Sequence, residues 1–206
     1  MYFRSGDEAP EFQARALDAL RQPLESGTLT LARSEAASVF PARFQLVMAQ
    51  NPCPCGNFGS TVRECTCRPD AVRRYGQRLS GPVRDRVDIR ANVDAPTMAD
   101  LDVAAEASKV VADRVAEARA RQERRLRGTP WRCNGELPGP YLRRELKLPA
   151  AVTAPAFARV RDGSLTLRGV DRVLRVAWTI ADLAGRDRPT ADDVLRALSF
   201  RLGEAA

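Results

Sequence analysis

Four of the five cysteines stand in two CxC pairs, Cys53 with Cys55 and Cys65 with Cys67, separated by nine residues that include Gly56 and Gly59. Four thiolates delivered as two close pairs across a glycine-containing loop can surround a tetrahedral ion, as a structural four-cysteine zinc site requires. The same spacing admits two disulfides, which a reducing cytosol disfavours, or four free thiols. Cys133 stands alone and reads as an incidental thiol. The sequence has no histidine, which removes Ser-His-Asp and Cys-His nucleophiles, imidazole acid–base catalysis and any zinc site that uses imidazole. Its two lysines, Lys109 and Lys147, do not follow a glycine. The GxxxxGK[ST] loop that cradles nucleotide phosphates is therefore not in this sequence. Other polar candidates have ordinary readings when taken singly. Asp7-Glu8 precede a helix whose amino end favours carboxylates, Arg86 lies between Asp85 and Asp88 in the setting of an ion pair, and Arg168 opens a helical segment.

These side chains need elements to hold them. Phe44 to Ala49 is a nearly unbroken apolar run, the pattern of a strand buried on both faces in a parallel sheet. Asn51 lies just past its carboxyl end, where open α/β sheets place their ligands. Upstream, Glu11 to Leu20 puts Phe12, Ala16, Leu17 and Leu20 on one face of a short helix, with Pro23 beyond and Gly27 closing the segment. The alternating Thr28 to Leu31 and the Val39-Phe40-Pro41 run predict a hairpin over residues 28 to 41. Residues 52 to 69 are loop, after which Asp70 is placed to cap a helix through Val72, Tyr75 and Leu79. Gly81-Pro82 opens a short segment, and Val87 to Val93 predicts a further strand.

The character changes near Ala95-Pro96. From Thr97 a long helix is expected to run to about Gly128, with Leu101, Ala104, Ala105, Ser108, Val111, Ala112, Val115 and Ala118 on one face. A loop over 128 to 140 and helices near Tyr141 to Leu146, Ala150 to Val160, Arg168 to Leu183 and Thr190 to Leu202 follow. The chain thus divides into an α/β part, 1 to 96, and an all-helical part, 97 to 206. No apolar run reaches the ~18 residues that span a bilayer, and Met1 to Gly6 lacks the features of a secretory signal, so a cytoplasmic protein without a membrane partner is expected. The net charge of +7 is carried almost wholly by arginine and favours acidic partners such as nucleic acid. Arginine beside abundant alanine is also what genome composition alone produces.

Taken together, the strings DEAPEFQARALDALRQPLESG, FPARFQLVMAQNPCPCGNFG, CTCRPDAVRRYGQRLSGPVRDRVDI, NGELPGPYLRREL and LRGVDRVLRVAWTIADLAG closely resemble the magnesium-chelatase-like AAA+ ATPases of the ComM (YifB) type. The resemblance runs from Asp7 to the end of the chain, and NPCPCG and LSGPxxDRxD are its most specific motifs. It implies an ATP-driven ring, usually a hexamer, that acts on branched DNA during recombination of incoming DNA. Fold and organisation follow: the α/β remnant of an AAA+ P-loop core, then a helical lid.

The resemblance also implies roles. Asp7 and Glu8 match the Walker B pair, the aspartate holding Mg2+ and the glutamate polarising the attacking water. Asn51 matches sensor 1, Arg86 the arginine finger that reaches a neighbouring subunit's ATP, and Arg168 sensor 2 at the lid. The hairpin is similar to the pore-facing insertion, making Arg33 a candidate contact to the DNA backbone. Two departures stand out: Met1 to Gly6 carries Arg4 and Gly6 where an apolar strand should enter Asp7, and Trp178 stands where a second basic residue is expected. The Walker A loop, the first strand and an amino-terminal protease-like domain would precede residue 1, making this chain the carboxyl-terminal portion of such a protein and its partner either further copies or the missing amino-terminal half. The alternatives are a non-catalytic zinc-stabilised module that binds DNA or a ring, and a nonfunctional remnant with exposed sheet edges.

Overall fold

The computed structural model describes residues 2–6, 9–33, 36–93, 98 and 104–203, which form two compact units, Met1–Val87 and Asp88–Ala206. The first begins with strand β1 (Tyr2–Gly6), a 3-10 turn (Ala9–Glu11) and helices α1 (Ala14–Ala19) and α2 (Arg21–Ser26). The hairpin β2 (Thr28–Arg33) and β3 (Ala36–Pro41), strand β4 (Phe44–Met48) and helices α3 (Pro69–Gln77) and α4 (Gly81–Arg84) complete it. β1 pairs in parallel with β4, Gly6 opposite Met48, and the Ala9 N–H donates to the Ala49 carbonyl at 2.8 Å. β2 and β3 pair antiparallel, Leu29 opposite Phe40.

Several expectations are corrected here. The helix expected over 11 to 20 is α1, shorter at Ala14–Ala19, and the segment beyond it is a second helix: Pro23 sits in the first turn of α2, where a missing N–H costs no intrahelical bond. Gly27 then closes α2 in the left-handed region at φ 68°. β4 is not buried on both faces: Gln45 and Val47 are exposed while Phe44, Leu46 and Met48 are half-buried. Among the described residues its sheet has two strands, so the apolar run is covered on one side. Asp70 does not cap α3. Arg68 is the N-cap residue, and Asp70 lies in the first turn, where it complements the helix amino end and pairs with Arg74 at 2.8 Å.

The second unit contains α5 (Ser108–Arg125), a 3-10 turn (Asn134–Glu136), α6 (Gly139–Arg144), α7 (Ala150–Arg161), α8 (Leu167–Leu183) and α9 (Ala191–Leu202). The strand expected over 87 to 93 is absent: the Arg90 N–H donates to the Phe200 carbonyl at 2.8 Å and the Asn92 side chain to the Gly203 carbonyl at 3.2 Å, so this segment is satisfied against the end of α9 rather than in a sheet. The long helix begins at Ser108, later than its periodicity predicts, and Ala118 and Gln122 are its buried residues.

α8 is the centre of the core. Val170, Val173, Leu174, Ala177, Trp178 and Ala181 recur at helical spacing along one buried face, packed with Leu126, Leu137, Leu142, Ala156, Val194 and Leu198. Thr166 caps α8 by accepting from the Gly169 N–H, and Thr190 with Asp193 forms a capping box on α9. Inside the unit, Arg125 makes two bonds to the fully buried Asp182 carboxylate (2.7 and 2.6 Å) and one to Asn134 Oδ1 (3.0 Å). Its guanidinium lies 4.5 Å over the Trp178 ring.

Candidate functional site

The 52 to 69 loop folds its two CxC pairs onto one point. Cys53 Sγ lies 3.4 Å from Cys55 Sγ and 3.7 Å from Cys65 Sγ, Cys55 and Cys65 are 3.7 Å apart, and all four sulfurs fall within 4.8 Å of one another. Sulfurs on a tetrahedron of zinc–sulfur length, about 2.3 Å, are separated by about 3.8 Å, so the cluster has the size of a four-thiolate zinc site. The separations are far beyond a disulfide's ~2.05 Å, and all five cysteines are free. Gly56 (φ 79°) and Gly59 (φ 81°) supply the reversals. The Phe58 N–H donates to Cys53 Sγ at 3.3 Å, the kind of support a ligating thiolate takes from the backbone.

The electrostatics agree with the geometry. The Asn57 N–H, then the Cys53 thiol and the Thr66 N–H, hold Cys55 down at about 6. Burial and the Cys55 contact push Cys53 up, but N–H donation from Phe58 and the Cys65 thiol outweigh them and lower it. The Cys67 N–H pulls Cys65 down, yet burial and the Cys53 and Cys55 sulfurs together push it up to about 12. Cys67 is likewise raised: the Cys55 N–H lowers it, and the neighbouring sulfurs and burial prevail. Four thiols this close cannot all ionise without a counter-charge. A divalent cation at the centre would supply that charge, and the four side chains could hold zinc.

The structure separates the other sequence-predicted residues. Asn51 is exposed, three positions past the end of β4. Asp7 and Glu8 lie outside the described residues; Gly6, immediately before them, ends β1 despite the Arg4 and Gly6 that disfavour a strand. Arg33 ends β2, and its side chain also lies outside what is described. Arg168 is exposed in the first turn of α8. Arg86 is held by groups on α2 and α4. Its Nε donates to the Arg21 carbonyl (3.1 Å), one terminal nitrogen to the Pro82 carbonyl (2.9 Å) and the other to the Glu25 carboxylate, and its side chain is only 18 % exposed.

Sequence reasoning missed Glu25, whose place beside Arg86 depends on a separation of 61 residues. It also missed Arg172, one turn after Arg168, which pairs with Asp88 of the LSGPxxDRxD motif at 2.6 Å; the i, i+4 spacing to Arg168 was the available signal.

Residues 5–101 match the family described as magnesium chelatase, subunit ChlI, and residues 105–201 its C-terminal companion. An uncharacterized protein of Mycobacterium tuberculosis is 45% identical over 196 residues, covering 95% of this chain and 39% of the relative. YifB of Escherichia coli is 39% identical over 198 residues, 95% of this chain and 38% of the relative. Competence protein ComM of Haemophilus influenzae is 36% identical over 198 residues, with the same two coverages. The chain therefore spans 38 to 39% of the length of these relatives. No helix among the described residues is long and apolar enough to cross a membrane.

Proposed function

Because the chain belongs to the magnesium-chelatase family, we propose that it is the carboxyl-terminal segment of a ComM-like AAA+ ATPase that processes branched DNA. Residues 1–96 form the end of the α/β core and 97–206 the helical lid. The observation that supports this reading is the parallel register of β1 and β4, Gly6 opposite Met48: the two strands end at the same edge of the sheet, where a sheet of this kind holds its ligand, and in the sequence Asp7-Glu8 come directly after Gly6 and Asn51 three residues after Met48. Asp7 would hold Mg2+ and Glu8 activate water. Asn51 orients that water as sensor 1, Arg168 contacts the nucleotide as sensor 2, and Arg86 acts on the ATP of a neighbouring copy. ATP with Mg2+ supplies the phosphoryl group to be transferred. Zn2+ on Cys53, Cys55, Cys65 and Cys67 serves as a structural centre, and Arg33 on the hairpin contacts DNA.

The amides and lysine of a phosphate loop supply most of the affinity for a triphosphate, so the purified chain is expected to show no ATP hydrolysis. Mixed with a Walker A-bearing amino-terminal segment of a relative such as YifB, it is expected to restore hydrolysis, which Arg86→Ala lowers by about 10^3 or more. Turnover by the chain alone that disappears in Arg168→Ala overturns the half-site reading.

A second reading is favoured by the convergence of four sulfurs beside an arginine-rich helix: a zinc-stabilised module that binds nucleic acid without catalysis. Its affinity must fall steeply with salt, and failure to bind any nucleic acid at low salt removes it.

A further inference from the structure

The cysteine loop carries an aromatic side chain that the metal cluster does not use. Phe58 is 56% exposed and Val62 74% exposed, although the loop under them is tightly held. The Gly56 N–H donates to the Cys53 carbonyl (3.0 Å), the Ser60 N–H to the Asn57 carbonyl (3.0 Å), and Ser60 Oγ accepts from the N–H groups of Val62 (3.1 Å) and Arg63 (3.3 Å). The Phe58 N–H is itself fixed on Cys53 Sγ. Phe58 therefore stands at the tip of a turn whose backbone is already ordered, and docking a flat partner on its ring costs little further backbone entropy.

The surroundings are cationic. Between residues 52 and 78 there are five arginines against Glu64 and Asp70. Arg63 and Arg73 are exposed, and the Arg68 side chain is 89% exposed. Asp70 is shared between Arg74 at 2.8 Å and Arg68 at 3.7 Å, so one carboxylate serves two guanidinium groups. The sulfur cluster ties the loop together: the Phe58 N–H lies 3.3 Å from Cys53 Sγ, which is 3.7 Å from Cys65 Sγ, and Arg63 and Arg68 stand two residues before Cys65 and one after Cys67. An exposed ring on a rigid turn, flanked by guanidinium groups, is the combination by which proteins hold single strands: bases stack on the ring while arginines follow the phosphates. A duplex, whose bases are already stacked, has no open face to offer Phe58.

We propose that the four-cysteine loop is a single-stranded nucleic-acid contact, with Phe58 as the base-stacking platform and Arg63 and Arg68 as phosphate contacts. This rests on the second reading above and adds to it a place and a strand preference. The test is fluorescence anisotropy of the full chain with a labelled 20-mer of thymidine and with a duplex of mixed sequence, from low to moderate salt. Phe58→Ala is expected to weaken the single strand by about 5- to 150-fold with the salt slope unchanged, and Phe58→Trp to restore it. Arg68→Ala is expected to reduce the slope by about 0.7. Duplex affinity should be little altered by Phe58→Ala. Zinc content and far-ultraviolet circular dichroism equal to wild type establish that a variant is folded. Single-strand binding that survives Phe58→Ala but is lost in Arg33→Ala overturns the loop contact while leaving a nucleic-acid module intact; no binding at low salt overturns both. Equal oligonucleotide binding together with a change of sedimentation in Phe58→Ala assigns the patch to protein association and overturns the proposal.

Discussion

If Arg86 acts on a neighbour's nucleotide, it must first leave partners that hold it within its own subunit, and those partners make its removal a structural as well as a chemical perturbation. Arg86→Ala deletes the pair with Glu25, whose side chain is 49% exposed and which is therefore worth at most about 1 kcal/mol. It also strips the Arg21 and Pro82 carbonyls of a charged donor, about 1 kcal/mol each. The total is about 2–3 kcal/mol, concentrated where α2 meets α4. Trp131 and Trp178 both belong to the second unit, so tryptophan fluorescence is an internal control that should not move. Hydrogen exchange read by mass spectrometry should show protection of the peptides spanning residues 14–26 and 80–87 reduced by about 30- to 150-fold. Glu25→Gln should recover most of that protection, because the two carbonyl bonds survive. Unchanged exchange in Arg86→Ala would refute the reasoning and leave Arg86 with no structural role to offset.

In the second unit, Asp182→Ala leaves Arg125 buried without its carboxylate and is expected to cost about 3–5 kcal/mol, read as a lowered urea midpoint by tryptophan fluorescence; a loss under 1 kcal/mol sinks the account of that network. For the cysteine cluster, elemental analysis of protein purified without added metal should give about one zinc per chain, falling in Cys53→Ser, and its absence after refolding with zinc ends the assignment. Burial raises the Asp193 carboxyl, but the Thr190 N–H, Arg186 and the Thr190 hydroxyl overcome this and hold it below its ordinary value. The unfolded chain thus takes up the proton first: stabilisation present above the ordinary carboxylate range drains away as pH falls through the lowered folded value. Asp193→Asn should cost about 1 kcal/mol near neutrality and flatten the acid side of the stability profile below about pH 5; an unaltered slope contradicts this origin.

What the sequence made legible is what depends on neighbours in the chain. The CxC spacing, the hairpin and the helices near Arg168 to Leu183 and Thr190 to Leu202 all arise from contacts within a few residues or from a helical period, and each could be read from local pattern. The strand expected at 87 to 93 failed because an alternating apolar segment needs a partner edge, and here Arg90 and Asn92 find the end of α9 instead. β4 failed in a different way: continuous apolarity reports a capacity for burial on two faces, while the exposed Val47 reports how much covering sheet lies within the described residues. Glu25 and the Asp88–Arg172 pair were hidden because both join residues more than 60 positions apart.

Trp178 joins these two kinds of evidence. A basic residue is expected there by resemblance, yet the position is 3% exposed in the middle of the α8 core, where a cation must bring its own counter-charge. In this chain the cation comes from α5: Arg125 reaches Asp182 and lays its guanidinium on the indole face. The ring supplies apolar burial on one side and a favourable surface for the cation on the other, and the Asn134 side-chain amide donates a further bond to Asp182 Oδ2 at 2.9 Å. A basic side chain at 178 would place a second cation against Arg125 with only Asp182 between them. The tryptophan thus fits a core in which Arg125, from α5, is the cation that Asp182 binds.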